Sequence, residues 1–367
     1  MELKLKSIAC PLCHEVCNRP LLTSADVRCH LPGRFTVVRC EGCNHRYLNP
    51  RPADECLADC YPVGYAPHQA VVAALQTNSA AASADSAVSR PADSTPWYLR
   101  WLPLRRLPGL RRLYYWLMDD RTQPVPDAVR TAPGVSPVAL ELGCATGAWL
   151  LKLKSQGWSV SGVEMCEGPA AVARAAGLQV LTATLETAAL PSESLDLVAA
   201  WMVLEHTPQP LQTLSEVRRI LKPGGRLIFS VPNAECLESR IFGSAWYCLD
   251  LPRHLQHFNA PSLHLILEQA GFTGISIEQH RTLIGAWGSV GNLICRMLPH
   301  SRLGAWLQRY PEQPRLILQL LSAPVAIVLA WCGQGEGLTV SARRPQSAQA
   351  VSSPSDATSG PGRAAGG

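Results

Sequence analysis

The sequence of 367 residues lacks the apolar stretch that a secretory signal needs, because the charged segment at residues 1–6 is followed by no hydrophobic region. It has no evident internal repeat. It also lacks a strong charge imbalance, since 33 basic and 28 acidic side chains leave a net charge of +5. These absences predict a cytoplasmic protein, exclude a repeat architecture and give no reason to expect binding to nucleic acid.

Cysteine is not scarce, and the fourteen cysteines are better interpreted as thiols and metal ligands than as disulfides in a chain without an export signal. Cys10 and Cys13 form one Cys-x-x-Cys pair, and Cys40 and Cys43 form a second. Four thiolates close a tetrahedral Zn²⁺ shell, so this spacing predicts a structural zinc site. The alternatives are four ordinary thiols, a redox pair, or replacement of one ligand by a nearby residue, namely Cys17, Cys29, His30, Cys56 or Cys60.

Composition divides the chain into four parts. Residues 1–66 hold eight of the cysteines and predict a small zinc ribbon, and residues 67–96, rich in Ala and Ser, predict a flexible linker. Residues 97–343 alternate strand-like and helix-like patterns, which predicts an α/β domain with a mostly parallel, Rossmann-like sheet. Residues 344–367, rich in Ser, Pro, Gly and Ala, predict a disordered tail.

A glycine-containing loop with the sequence ELGCATG, from Glu141 to Gly147, follows the first predicted strand of the α/β part. Gly143 and Gly147 permit a tight turn, and the small Ala145 keeps the approach of a ligand open. Glu164 ends the next predicted strand, where an acid can accept hydrogen bonds from both ribose hydroxyls. The pattern predicts an adenosine-containing cofactor, either a dinucleotide or S-adenosylmethionine. Glu141 favours the second, because its carboxylate can meet the cofactor's ammonium group.

Three downstream segments agree with S-adenosylmethionine: SLDLV at residues 194–198, LEHTP at 204–208 and ILKPGGRL at 220–227. Together with the loop, they resemble class I S-adenosylmethionine-dependent methyltransferases. The resemblance implies a seven-stranded sheet whose last strand is antiparallel. It also implies a set of cofactor contacts: Glu141, Gly143 and Gly147 at the amino-acid end, with Ala145 in place of the usual middle glycine, Glu164 at the ribose, Leu185 near the adenine, and Trp201 and Met202 after the fourth strand.

A narrower resemblance rests on DLPRHLQHF at residues 250–258, which is similar to a motif of bacterial methyltransferases of envelope-sugar and natural-product pathways. Several relatives in this group also carry a four-cysteine zinc module followed by Pro-Arg-Pro, which is found here at residues 50–52. The resemblance implies a sugar or a related metabolite as the methyl acceptor.

A base can assist an oxygen nucleophile, and His254 and His257 are the first candidates for this role, with His206 as the alternative. Arg253 is a candidate for binding an anionic group of the substrate. The competing interpretation is a structural hydrogen bond or helix cap for each histidine, and a surface ion pair for Arg253.

A hydrophobic insertion at about residues 281–335 separates the last two predicted strands, and residues 316–331 are almost entirely apolar. This run is at the short limit for a membrane span, and a single span would prevent the last strand from returning to the sheet. The insertion is therefore interpreted as a lid, as a re-entrant or monotopic membrane element, or as helices packed on the domain or in a dimer. The Arg- and Trp-rich residues 97–118 have the composition of a segment that faces anionic lipid.

The sequence thus predicts a methyltransferase that acts on a hydroxyl of a sugar or related small metabolite, and the insertion extends this hypothesis to a lipid-linked acceptor at the inner membrane face with peripheral membrane contact. Two rivals are a non-catalytic zinc-ribbon binding or scaffold protein and an NAD-dependent oxidoreductase. The intact loop and Glu164 argue against the first, and the segments at 204–208 and 220–227 argue against the second. No pattern specifies the oligomeric state.

Overall fold

The computed structural model describes residues 3–62, residue 119 and residues 135–346. Three predicted features lie wholly or mainly outside these residues: the linker at 67–96, the Arg- and Trp-rich stretch at 97–118, and the tail. The domain boundaries that composition indicates therefore stay a prediction.

The cysteine-rich part consists of short strands joined by turns. These strands are β1 (Leu5–Lys6), β2 (Asn18–Ser24), β3 (Phe35–Cys40), β4 (Arg46–Leu48) and β5 (Arg51–Pro52). β2, β3 and β4 form an antiparallel meander, and β1 pairs with β5. One cysteine pair precedes β2 and the other lies at the end of β3, and the antiparallel pairing of β2 with β3 brings them together.

The α/β part contributes eight described strands: β6 (Val138–Leu142), β7 (Ser159–Glu164), β8 (Gln179–Thr182), β9 (Leu195–Trp201), β10 (Leu221–Pro232), β11 (Gln256–His257), β12 (Thr273–Gln279) and β13 (Gly337–Arg343). All but β11 form one sheet in the order β12-β13-β10-β9-β6-β7-β8. β13 is antiparallel to both of its neighbours, and the other pairs are parallel. The predicted seven-stranded sheet with an antiparallel last strand is confirmed.

Helices cover both faces of this sheet, as the connections between parallel strands require. They are α1 (Ala148–Lys154), α2 (Glu167–Ala175), α3 (Pro210–Ile220), α4 (Leu237–Phe242) and α5 (Ala260–Gln269). α3 and α5 contribute to one hydrophobic cluster and α1 and α2 to another. The central strands β6 and β9 are therefore buried along most of their length, which explains their nearly continuous apolar sequences.

The cysteine-rich part and the α/β part share a sheet. β11 pairs antiparallel with β4, so that Gln256 lies opposite Tyr47 and His257 lies opposite Arg46. The Gln256 Oε1 atom is 3.0 Å from Nε2 of His45, and both residues are buried. The segment that follows β10 is consequently held between the small sheet and the large one.

The predicted insertion is helical, with α6 (Ile284–Met297), α7 (Arg302–Arg309) and α8 (Leu316–Trp331). α6 and α7 approach each other almost to backbone contact, because a Cβ placed on Gly291 would lie 2.3 Å from the backbone nitrogen of Gln308. Among the described residues, no single helix has both the length and the apolar character needed to cross a membrane. Residues Arg302–Glu312 and Ile317–Trp331 meet those criteria only as a pair bent by 71°.

Candidate active site

The loop between β6 and α1 is a tight turn at the carboxyl end of the sheet. Gly143 and Gly147 have φ angles of 63° and 76°, which favour glycine. A Cβ on Gly147 would lie 2.1 Å from Cδ1 of Leu178, and one on Gly143 would lie 2.7 Å from Cγ2 of Val203. Ala145 also has a positive φ of 46°, a conformation that costs a residue with a Cβ about 1 kcal/mol. The loop therefore needs both glycines for conformation and for space.

Glu164, at the end of β7, holds this loop in place. Its buried carboxylate accepts one hydrogen bond from the Ala145 N–H and another from the Cys166 N–H, each at 2.9 Å. Each carboxylate oxygen can accept a further bond. The arrangement fits the predicted contact with two ribose hydroxyls and adds a structural role that the sequence did not indicate.

Glu141, on β6, is buried, and its Oε2 atom has no hydrogen-bond partner among the described residues. Burial, reinforced by the charge of Glu164, raises the pKa of Glu141 well above its usual value. A buried carboxyl oxygen without a partner is unfavourable by itself, and an ammonium group would satisfy it. Glu141 therefore fits the amino-acid end of S-adenosylmethionine.

The remaining residues predicted to contact the cofactor differ in their burial. Trp201, the last residue of β9, packs its ring edge-on against that of Trp149, with centroids 5.8 Å apart. Met202 follows it and is 43% exposed, whereas Leu185 is buried in the core. β9 is the neighbour of β6, so Trp201 and Met202 lie at the strand ends where a cofactor crosses such a sheet. The contacts of all three with the cofactor stay predictions.

Two of the three histidines predicted as bases lie next to each other. The ring centroids of His206 and His254 are 4.7 Å apart, and one ligand atom from each of Glu205, His206 and His254 lies within 4.8 Å of the others. Burial lowers the pKa of His206 to about 4 and that of His254 well below its usual value. Burial also raises the pKa of Glu205 to about 8. Both histidines are thus neutral at neutral pH, and the cluster can hold a proton or a metal ion.

Hydrogen bonds decide which nitrogen of His254 is available. Its Nδ1 donates to the carbonyl oxygen of Cys248 at 2.8 Å, so Nε2 carries the lone pair of the neutral ring. The Nδ1 of His206 lies 3.1 Å from the carbonyl oxygen of Arg253 and 2.9 Å from Oη of Tyr61. The hydrogen bond therefore fixes the tautomer of His254, whereas Nδ1 of His206 lies close to both an acceptor and a hydroxyl group.

His257 lies in β11 and is not part of this cluster. Its ring centroid is 6.5 Å from that of His254, and burial lowers its pKa to about 3. Its Nε2 is buried and has no hydrogen-bond partner among the described residues. The role of His257 as a base stays a prediction, with less geometric support than that of His254.

Arg253 does not have the environment predicted for it, because it is completely buried between the two parts of the chain. Its five N–H groups donate to both carboxylate oxygens of Asp26, to Oδ1 of Asp250, and to the carbonyl oxygens of Cys60 and Leu251. Burial alone would lower the pKa of Arg253, but the two carboxylates raise it. No donor is left for a substrate anion. The predicted substrate contact is therefore corrected to an internal ion pair, and the alternative of a surface ion pair is wrong as well.

The four cysteines predicted as ligands form a cluster. The Sγ atoms of Cys10, Cys13, Cys40 and Cys43 all lie within 4.8 Å of one another. The distance is 3.5 Å between Cys10 and Cys43 and 3.4 Å between Cys13 and Cys40. A ZnS₄ tetrahedron with Zn–S bonds of about 2.3 Å has edges of about 3.8 Å. The arrangement fits Zn²⁺, and the suggested replacement ligands lie outside the cluster: Cys17, Cys29, His30, Cys56 and Cys60.

A polar cavity of about 530 Å³ lies where the cysteine-rich part, the segment after β10 and the insertion meet. We call it the junction pocket. The guanidinium carbon of Arg28 is 4.5 Å from the centre of the Tyr247 ring, and an Nη of Arg28 is 3.4 Å from a carboxylate oxygen of Asp250. On the insertion side, Nε2 of Gln308 donates to Oδ1 of Asn292 at 3.0 Å. Charged groups, amides and an aromatic residue therefore line the junction pocket.

Sequence reasoning missed several residues of this region. Asp26 and Tyr61 were not indicated, and nothing in the sequence around them marks them. Asp26 meets Arg253, which is 227 positions away. Asp250 and Glu205 were part of recognised segments, but their positions in the site depend on the tertiary contacts.

The sheet order and the loop define a class I methyltransferase fold, and comparisons with known proteins agree. A family profile described as "Methyltransferase domain" matches residues 118–277. The chain is 28% identical over 166 residues to the ubiquinone biosynthesis O-methyltransferase of Saccharophagus degradans, an alignment that covers 43% of this chain and 65% of that protein. It is 32% identical over 177 residues to a protein of Mycolicibacterium smegmatis named "Probable S-adenosylmethionine-dependent methyltransferase", with 47% and 65% covered.

A solved structure that resembles the chain is a SAM-dependent methyltransferase from Archaeoglobus fulgidus, with a TM-score of 0.40 and 19% identity, covering 68% of this chain and all of that one. The chain spans less than two thirds of the length of either curated relative. Residues 118–277 match the profile of a methyltransferase domain, which agrees with the predicted class. Nothing in these matches supports the NAD-dependent oxidoreductase.

Proposed function

We propose that this protein transfers the methyl group of S-adenosylmethionine to a hydroxyl oxygen of a sugar or a related small metabolite. One observation carries the proposal. The predicted cofactor residues Glu141 and Glu164 lie near the carboxyl ends of β6 and β7, and the cluster of Glu205, His206 and His254 belongs to the same edge, because Glu205 and His206 follow β9.

The cofactor, when bound, supplies an activated methyl group, so the protein's main task is to align the acceptor. In the proposed step an O–C bond forms as the S–C bond breaks. The proton of the acceptor hydroxyl passes to Nε2 of His254. The lone pair of this nitrogen is available because Nδ1 donates a hydrogen bond to the carbonyl oxygen of Cys248. Glu205 lies within 4.8 Å of both histidines, so its carboxyl group can lose its proton as positive charge develops on the histidine pair, and the resulting carboxylate would stabilise that charge.

The junction pocket supports a hydroxyl-rich acceptor. Asp250 connects the two regions, since this residue lines the pocket and its carboxylate lies 3.9 Å from Nε2 of His254. Amides, a carboxylate and a guanidinium hydrogen-bond hydroxyl groups. A lipid-linked sugar at the inner membrane face extends the proposal, because Gln308 of the insertion lines this pocket and α8 of the same insertion is apolar except for Gln319 and Ser322.

The cofactor part of the proposal is tested by calorimetric titration of the zinc-loaded protein with S-adenosylhomocysteine, with NAD titrated in parallel. We expect binding that falls at least about 100-fold in Glu164→Ala, because charge-assisted hydrogen bonds to the ribose and the support of the loop are lost together. Glu167→Ala, which removes an exposed neighbouring acid, should bind normally. If the folded protein does not bind S-adenosylhomocysteine, a scaffold role is favoured. If it binds NAD instead, the oxidoreductase is favoured.

The acceptor part is tested with S-adenosylmethionine labelled in its methyl group and two extracts of a bacterium, one aqueous and one in organic solvent. Label in an organic-soluble glycolipid would support a lipid-linked acceptor, and label in a water-soluble sugar would support a free one. His254→Asn keeps an amide nitrogen near the position of Nδ1 but removes Nε2, so transfer should fall about 100-fold or more. The exposed His264→Asn serves as the matched control, and equal rates for both variants would contradict a role for His254 as base.

We also propose that the four-cysteine cluster holds a structural Zn²⁺. Cys40→Ser should abolish the binding of one zinc per chain, because a hydroxyl is a poor substitute for a thiolate ligand. Cys17→Ser, which alters an exposed cysteine outside the cluster, should leave zinc content unchanged. Elemental analysis of the purified variants measures this, and full zinc content in Cys40→Ser would rule out the proposed ligand set.

A further inference from the structure

One face of α8 is exposed and consists only of apolar residues. We call it the docking face, and it comprises Ile317, Leu320, Leu321, Pro324, Val325, Val328 and Trp331. The spacing of three and four residues places these side chains along one stripe of the helix. Trp331 is 77% exposed and Ile317 is 71% exposed. The opposite side, which packs inward, presents the small residues Ala323, Ala326 and Ala330.

This distribution is the reverse of what a surface helix of a globular domain shows, because its larger apolar side chains face outward. α8 contains no charged residue at all. Contiguous apolar surface of this kind marks an interaction site, and the charges around it indicate the partner.

The charge of the insertion is strongly one-sided. From Arg281 to Gly335 there are five arginines and a single acid, Glu312. Arg302, Arg309 and Arg315 are exposed and form no ion pair with an acid among the described residues. Glu312 is half-buried beside the junction pocket.

We infer that the docking face inserts into the surface of a bilayer that contains anionic lipid. The apolar stripe would enter the acyl boundary, the exposed arginines would attract anionic headgroups, and Trp331 has the amphipathic ring that favours the membrane interface. The inference rests on the proposed function and deepens it. α7 carries Gln308 and the exposed Arg309, which both line the junction pocket, so docking would bring this pocket close to lipid-linked molecules.

The test is flotation of the full-length, zinc-loaded protein with vesicles of phosphatidylcholine alone and with vesicles that also contain phosphatidylglycerol. We expect flotation with the second type and little with the first. Val325→Asp should lower vesicle affinity about tenfold or more, because it places a charge in the buried stripe. Val16→Asp makes the same change at an exposed valine of the cysteine-rich part and should have no effect. Arg315→Gln should lower affinity about fivefold at low salt and less at high salt.

Three outcomes would overturn the inference: no flotation with either vesicle, equal flotation of Val325→Asp and the parent protein, or a lipid-independent dimer in sedimentation equilibrium that Val325→Asp dissociates. The last would assign the docking face to a second copy of the chain. S-adenosylhomocysteine binding, measured on the same samples, separates this test from that of the proposed function. Cofactor binding without flotation would contradict only the membrane inference. Flotation without cofactor binding would contradict only the proposed methyltransferase function.

Discussion

Replacement of Arg253 by Met should lower the free energy of unfolding by about 3–5 kcal/mol, because breaking a buried ion pair leaves uncompensated charge in the interior. Asp26 loses both of its bonds to the guanidinium, and Asp250 loses one of its two cationic neighbours. The carbonyl oxygen of Cys60 loses a donor as well. Guanidinium unfolding of the zinc-loaded variant, followed by tryptophan fluorescence, measures the change.

Arg219→Met provides the control for the loss of an arginine as such. Arg219 pairs with Glu216 on the surface of α3, and its side chain is 40% exposed, so its removal should cost about 0–1 kcal/mol. Because Arg253 joins the cysteine-rich part to the α/β part, its loss should also expose the first sixty or so residues to limited proteolysis. Equal stability of the two variants would contradict the internal ion pair and would reopen a role for Arg253 at the surface.

Replacement of Glu141 by Gln should move two measurements in opposite directions. The melting temperature of the cofactor-free protein should rise, because an amide replaces a carboxyl group that burial makes unfavourable to ionise. The affinity for S-adenosylhomocysteine should fall roughly 10- to 100-fold, because the charge-assisted hydrogen bond to the ammonium group is lost. Thermal unfolding and calorimetry on the same preparation test both effects.

The pH dependence of binding follows from the same residue. The folded-state pKa of Glu141 lies above the ordinary value of 4.5, so ionisation of Glu141 increasingly disfavours the folded, cofactor-free state as the pH rises. Binding of the ammonium group needs the ionised form. Affinity should therefore increase as the pH rises through the raised pKa of Glu141, and this rise should be absent in Glu141→Gln.

Glu238→Gln is the matched control for these effects. Burial raises the pKa of Glu238 to about 7, and Glu238 belongs to α4, which contributes no predicted cofactor residue. The substitution should raise the melting temperature without changing cofactor affinity. If Glu141→Gln behaved in the same way, with normal affinity, the ammonium contact would be wrong.

Features with a local signature were predicted from the sequence. The two Cys-x-x-Cys pairs, the loop from Glu141 to Gly147, and the alternation of strands and helices each depend on spacing within a few tens of residues. Neighbouring parallel strands with their helices impose this periodicity directly, so the mostly parallel sheet followed from the pattern. Its seven strands and antiparallel last strand were implied by the resemblance to class I methyltransferases. The apolar run of α8 was visible for the same reason.

Features that depend on distant contacts were decided only by the tertiary structure. Arg253 was predicted at a substrate, yet it is buried because Asp26, far away in the chain, supplies its countercharge. His206 and His254 meet because the segment after β10 returns over the end of β9, while His257 is held in the small sheet. The sequence of α8 likewise did not indicate which side is exposed, because a helix with only two polar residues, Gln319 and Ser322, has too little pattern to mark its buried face. Local periodicity therefore determined the scaffold, and long-range packing determined which charged groups are internal and which surfaces remain open.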